Sequence, residues 1–172
     1  PGQYVGGLPV HGLQGTAEQP IVIRGSGPGK TRFLAKPHRH TISIVDSAHV
    51  TIRDLMLDGL GFAADGVRAE GYSRWAHHIS LENLLIVNHG ANQGYVGIST
   101  KCPAWNWVIR GNRIVGAGTG MYLGNSDGRA PFIAGLIEQN QLIASVGYNL
   151  QIKHQAARPD FPEMPRGQSH TI

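Results

Sequence analysis

The stretch Val108-Ile109-Arg110-Gly111-Asn112-Arg113-Ile114-Val115 holds two short apolar strands around a polar corner. Its apolar residues alternate at period two. That suits extended chain and not a helix, whose apolar positions recur at three and four. Read outward, the same text returns. Upstream, Ile79-Ser80-Leu81-Glu82 leads to Leu85-Ile86-Val87, and Val50-Thr51-Ile52-Arg53 leads to Met56-Leu57. Ile21-Val22-Ile23-Arg24 is an earlier copy, and Gly135-Leu136-Ile137-Glu138 with Gln141-Leu142-Ile143 a later one. The anchor positions 23, 52, 81, 109 and 137 are 29, 29, 28 and 28 residues apart. A third apolar segment follows a turn in each unit, of which Gly116-Ala117-Gly118-Thr119-Gly120 is the most glycine-rich. The third segments are Thr41-Ile42-Ser43-Ile44, Val96-Gly97-Ile98-Ser99, Met121-Tyr122-Leu123-Gly124 and Asn149-Leu150-Gln151-Ile152.

Three short strands in every 28–29 residues predict an all-β solenoid, a right-handed parallel β-helix of about five coils. Stacked coils pair each strand with those above and below, about 4.8 Å apart, so five coils give a rod of about 24 Å. Asn112 and Asn140 fall at the same corner of successive coils. Side-chain amides placed so can hydrogen-bond one another as a ladder. Leu55 and Leu84 hold that place in earlier coils, so the ladder should be short. A propeller or sandwich fits the short period and the corner Asn less well, and a horseshoe would need a leucine pattern that is missing.

The chain reads as one domain over 1–172: a lead-in at 1–20, regular coils at 21–153, a long loop at 154–169 and a new coil at 170–172. Ile172 would be a sixth anchor. The opening Pro1-Gly2-Gln3-Tyr4 and the strand-like close at Ser169-His170-Thr171-Ile172 lead us to expect a piece of a longer, secreted or periplasmic protein.

Composition narrows the partners. The 172 residues include 24 Gly and 10 Pro with only 15% charged residues, which favours turns over solvated helices. Polar or glycine residues interrupt every apolar run, so no membrane span is expected. A net charge of +4, with nine further His, favours an anionic partner. The basic residues are scattered, without a basic run or aromatic platform, so nucleic acid is not expected. The single Cys102 excludes an intrachain disulfide. Oligomeric state is not legible.

The segment Gly15-Thr16-Ala17-Glu18-Gln19-Pro20-Ile21-Val22-Ile23-Arg24-Gly25 resembles the opening coil of bacterial β-helix proteins of the pectate-lyase-like superfamily. Val108-Ile109-Arg110-Gly111-Asn112-Arg113-Ile114 is similar to their standard repeat, and the resemblance spans nearly the whole chain. That fold hosts lyases, hydrolases, epimerases and non-catalytic adhesins, so the resemblance implies fold more than activity. No family catalytic set carries over onto these residues. The resemblance does imply a frame. The Asn corner lies between the second and third strands of a coil, which makes the Met121-Leu123 type the first strand. The loops after it line the usual binding face: here Glu70–His78, Lys101–Asn106, Asn125–Ala134 and His154–Ser169.

On that face, alternation turns Gln151 and Lys153 outward. The matching outward positions on lower coils are read as Tyr122 with Gly124, then Gly97 with Ser99, then Arg68. Lys101, Arg129 and Arg158 lie just beyond in the loops. The set Arg68, Lys101, Tyr122, Arg129, Lys153, His154 and Arg158 suits a uronate polysaccharide, the alternative being a solvated polar stripe. β-Elimination needs a base, a group that neutralises the carboxylate and an acid for the leaving oxygen. Lys153 or His154 could be the base, Arg158 or Arg129 the neutraliser and Tyr122 the acid. Trp75 and Trp105 could stack on sugars or pack their loops.

Other clusters are weaker. Asp46, Glu70 and Asp127 could serve calcium, though they are not consecutive in the stack. His38-Arg39-His40 and His77-His78 each pair two imidazoles, but a third ligand for a transition metal is not apparent, and no metal residue is assigned. Gly25-Ser26-Gly27-Pro28-Gly29-Lys30-Thr31 imitates a phosphate loop, with Arg24 where the first Gly belongs. Gly124-Asn125-Ser126-Asp127-Gly128 imitates a serine-hydrolase elbow; with Asp160 and His170 it could make a triad, but no helix is expected after it. An acidic-polysaccharide lyase is thus the leading expectation, and a non-catalytic glycan-binding, adhesin-like or structural module the alternative. A hydrolase ranks third, because paired carboxylates are missing.

Overall fold

A computed structural model of the chain describes residues 1–27, 29–156, 160–167 and 169–172. Three parallel sheets wind into a right-handed β-helix of about five turns, with no helical residue among those described. We number the sheets by the order of strands within a coil. Sheet 1 stacks Leu8–His11, Ile42–Val45, Val67–Glu70, Val96–Thr100, Thr119–Leu123 and Leu150–Ile152. Sheet 2 stacks Ile21–Arg24, Ser47–Arg53 and Ala76–Glu82, then the split strands Ala104–Trp105 with Val108–Arg110 and Phe132–Ile133 with Leu136–Glu138. Sheet 3 stacks Gly2–Val5, Thr31–Leu34, Met56–Asp58, Leu85–Val87, Arg113–Val115 and Gln141–Ile143.

The five anchors stack as the repeat requires: Ile23 on Ile52 on Leu81 on Ile109 on Ile137. Their side chains share one dry core with Ile42, Ile44, Leu57, Ile86, Ile98, Met121 and Leu123 from the other sheets. Each strand is too short to bury itself alone, so stacking supplies both its hydrogen-bond partners and its apolar neighbours. Thr31–Leu34 is a strand, so no helix follows the glycine-rich turn before it and a phosphate loop is excluded. The lead-in already holds two strands, which pair with Thr31–Leu34 and Ile42–Val45. At the other end Thr171 pairs in parallel with Leu136.

The Asn corner forms between sheets 2 and 3. Asn112 Nδ2 donates to Asn140 Oδ1 at 3.0 Å and to the Leu81 carbonyl at 2.9 Å. Its Oδ1 accepts the Leu84 N–H at 2.9 Å, and Asn140 Nδ2 donates to the Ile109 carbonyl at 2.7 Å.

A second corner lies inside sheet 2. His49, His78, Asn106 and Ala134 occupy equivalent places and all take positive φ, between 51° and 55°. This left-handed turn breaks the period-two alternation. Ala76 and Ile79 face the core, and His77 and His78 between them both face out. The outer side of this sheet carries a separate apolar cluster of Trp105, Ile133 and Met164, with Trp75 and Phe161 packed against it. The segment around Phe161–Met164 therefore returns from the last coil and lies as a strap across the outside of sheet 2.

Candidate functional site

The outward row of sheet 1 is set by the ladder. Ser43, Arg68, Ser99, Tyr122 and Gln151 are successive partners. Alternation alone places Gly97 and Ser99 level with Tyr122 and Gly124, a slip of two residues. In the observed register Ser99 faces Tyr122, so Lys101 rises level with Gly124 and, beyond it, Lys153. Gly124 has a φ of 90°, and a Cβ there would come within 3.2 Å of Lys153 Cβ and 3.3 Å of the Ala130 carbonyl oxygen.

Lys101 is thereby the centre of the face. Its Nζ sits 3.6 Å from the centroid of the Tyr122 ring, and Lys153 Nζ approaches the same ring at 5.2 Å. Burial pushes the Lys101 ammonium down to about 8; the Arg68 and Lys153 charges push the same way, and Asp65 opposes them. Neither lysine meets a carboxylate within salt-bridge distance among the described residues. Arg68 differs: its Nε donates to Glu70 at 2.7 Å and its Nη1 to the buried Asp65 at 3.3 Å. The charge it contributes to the face is largely cancelled. Two hollows flank Lys101. One, of about 440 Å³, is lined by Gln93, Val96, Tyr122, Tyr148 and Gln151; the other, of about 280 Å³, by Trp75, Asn125, Asp127 and Arg129.

The remaining expected residues are dispersed. His154 is exposed, with its ring against Gly128, and Arg158 lies outside the described residues. Tyr122 Oη donates to Ser126 Oγ at 2.9 Å. No helix follows Ser126, since Phe132–Ile133 is a strand, and Asp160 pairs with Arg166, so the hydrolase elbow is excluded. Trp105 is only 2% exposed, stacked between His77 and Phe161, and has no ring face left for a sugar. Trp75 packs on Phe161 while still lining the smaller hollow.

The three acids considered for calcium do not meet. Asp46 Oδ1 accepts the backbone N–H groups of Tyr72, Ser73, Arg74 and Trp75 at 2.9–3.1 Å. Burial alone would raise its carboxyl, but those four donors outweigh it and bring it down to about 2. Glu70 is held by Arg68, and Asp127 accepts the Arg129 N–H at 3.0 Å. Cys102 is buried with its thiol pushed up by burial, which makes it an inert core residue. His40 Nδ1 accepts the Asp65 N–H at 3.1 Å, away from the second histidine pair. His77 and His78 meet His49 from the coil below, a neighbour 29 residues from His78 that adjacency in sequence did not suggest.

No protein-family model, curated protein or solved structure matches this chain. The parallel β-helix is thus established by its own strands and register. No helix is long and apolar enough to cross a membrane among the described residues.

Proposed function

We propose that the protein acts on an acidic polysaccharide held along sheet 1, and that it cleaves the chain by β-elimination. The observation that carries the proposal is the half-buried Lys101 ammonium seated on the Tyr122 ring beside Lys153, with no carboxylate partner among the described residues. A glycan carboxylate supplies the missing counter-charge, and the repeat spacing of the sheet suits a linear polymer. Lys153 then neutralises the uronate carboxylate. Lys101, lowered to about 8, is neutral often enough near neutral pH to take the proton on the carbon next to that carboxylate. The electrons of the broken C–H bond form a carbon–carbon double bond, and the glycosidic C–O bond breaks. Tyr122 gives its phenolic proton to the departing oxygen.

The test is incubation with pectate, alginate, chondroitin and heparin-like chains, each with and without calcium, while ultraviolet absorbance of unsaturated uronate is followed. A rise that disappears in Lys101→Met supports the lyase. Binding without any rise moves the function to a non-catalytic glycan-binding module on the same face. Absence of both, in folded protein, overturns the proposal.

A further inference from the structure

The outer corner of sheet 2 gathers side chains that the glycan face does not use. His49 and His78 stack across successive coils with ring centroids 4.2 Å apart. His77 stands edge-on to both, and its Nδ1 is 2.8 Å from His78 Nδ1. Glu163 Oε2 reaches to 3.7 Å from His77 Nδ1. One ligand atom from each of the four residues lies within 4.8 Å of the others. From this geometry we infer that His49, His77, His78 and Glu163 form a binding site for a divalent transition metal of the zinc type.

The donor set fits that chemistry. Three imidazoles and one carboxylate are ligands of borderline softness, suited to Zn²⁺ and poorly suited to Ca²⁺ or Mg²⁺. Ligand atoms on a tetrahedral zinc sit about 3.3 Å apart, given metal–ligand distances of about 2.0 Å. The His77–His78 and His77–Glu163 separations of 2.8 and 3.7 Å straddle that value, and all four ligand atoms lie within 4.8 Å of one another. An outer partner is present too. Asn106 Nδ2 lies 2.9 Å from His78 Nε2. With the amide turned so that its oxygen accepts from Nε2–H, the Nδ1 lone pair of His78 faces the centre.

The backbone prepares the site. The left-handed turn at positions 49 and 78 sets His77 beside His78 and stacks His49 under it. Ala48, level with His77 on the lower coil, leaves the hollow open. Glu163 comes from the strap, between Phe161, packed on Trp75 and Trp105, and Met164, which is 5% exposed. Four protein ligands leave no open position, so the metal acts as a staple that fastens the strap to sheet 2.

Titration calorimetry with ZnCl2, on protein first dialysed against a chelator, tests this. One ion per chain is expected, with affinity falling about a hundredfold in His78→Ala and about tenfold in Asn106→Ala. Zinc should also slow proteolysis within the strap, and Glu163→Gln should abolish that protection while the fold, checked by circular dichroism, persists. His38→Gln, remote from the corner, should bind as the parent does. Absence of binding in the parent overturns the inference. So does binding that His49→Gln and His78→Ala both leave intact while their circular dichroism is native.

Discussion

At the scale of single residues, two groups owe their behaviour to neighbours 26 or more positions away in the chain. Lys101 is held below its ordinary range by burial and by Arg68 and Lys153. If it is the base, kcat/KM on a uronate polymer should rise with pH through about 8, and Lys101→Arg should lose that limb together with most activity. A profile unchanged by the substitution would assign the base elsewhere. Asp46 is held down to about 2 by four backbone donors. Its folded value lies below its unfolded one, so the stability it contributes is fully present above about pH 4 and is lost as pH falls towards 2. Asp46→Ala should cost about 2 kcal/mol in urea unfolding at neutral pH and should flatten stability over that acid window. The sequence showed that Tyr122 and Lys153 leave the core on one face, because alternation fixes which residues do. It left Lys101 in the loop just beyond that face. The Ser99–Tyr122 register depends on inter-coil pairing, and a slip of two residues keeps every side chain on its correct face, so no hydrophobic pattern reports it.

Among elements, the corners carry the specificity that the strands lack. The Asn112–Asn140 pair was legible, since two amides 28 residues apart at equivalent turns have few other uses. Asn112→Ala should cost about 2–4 kcal/mol by urea titration, because it strands the buried Leu84 N–H and Leu81 carbonyl in the core. Asn112→Leu, copying the residue of earlier coils, should restore packing but not those bonds, and should stay below the parent. The corner inside sheet 2 was not legible. His49, His78, Asn106 and Ala134 share a conformation but no residue type, and positive φ in non-glycine residues leaves little trace in composition. For the same reason the segments 70–78, 101–106 and 125–134 read as loops, although each contains residues of sheet 2. Both histidines were visible as neighbours in sequence, and their third partner was not.

For the whole molecule, the strap changes the kind of cooperativity open to the rod. A bare solenoid is coupled only between adjacent coils, so it can fray from an end or split at a weak interface. The segment around Phe161–Met164 leaves the last coil and packs against Trp75, Trp105 and Ile133, which belong to three successive coils. It therefore ties together coils that otherwise communicate only through their neighbours. The double substitution Phe161→Ala with Met164→Ala removes the apolar anchors but leaves every rung of the ladder in place. It should lower the unfolding midpoint modestly. It should also broaden the transition and reduce its denaturant slope, because end coils could then open before the centre. Tryptophan emission should move to the red in the native baseline as Trp105 gains water. A sharp transition with an unchanged slope and unchanged emission would mean that the stacked coils are cooperative by themselves. The apolar patch outside sheet 2 would then need a different account.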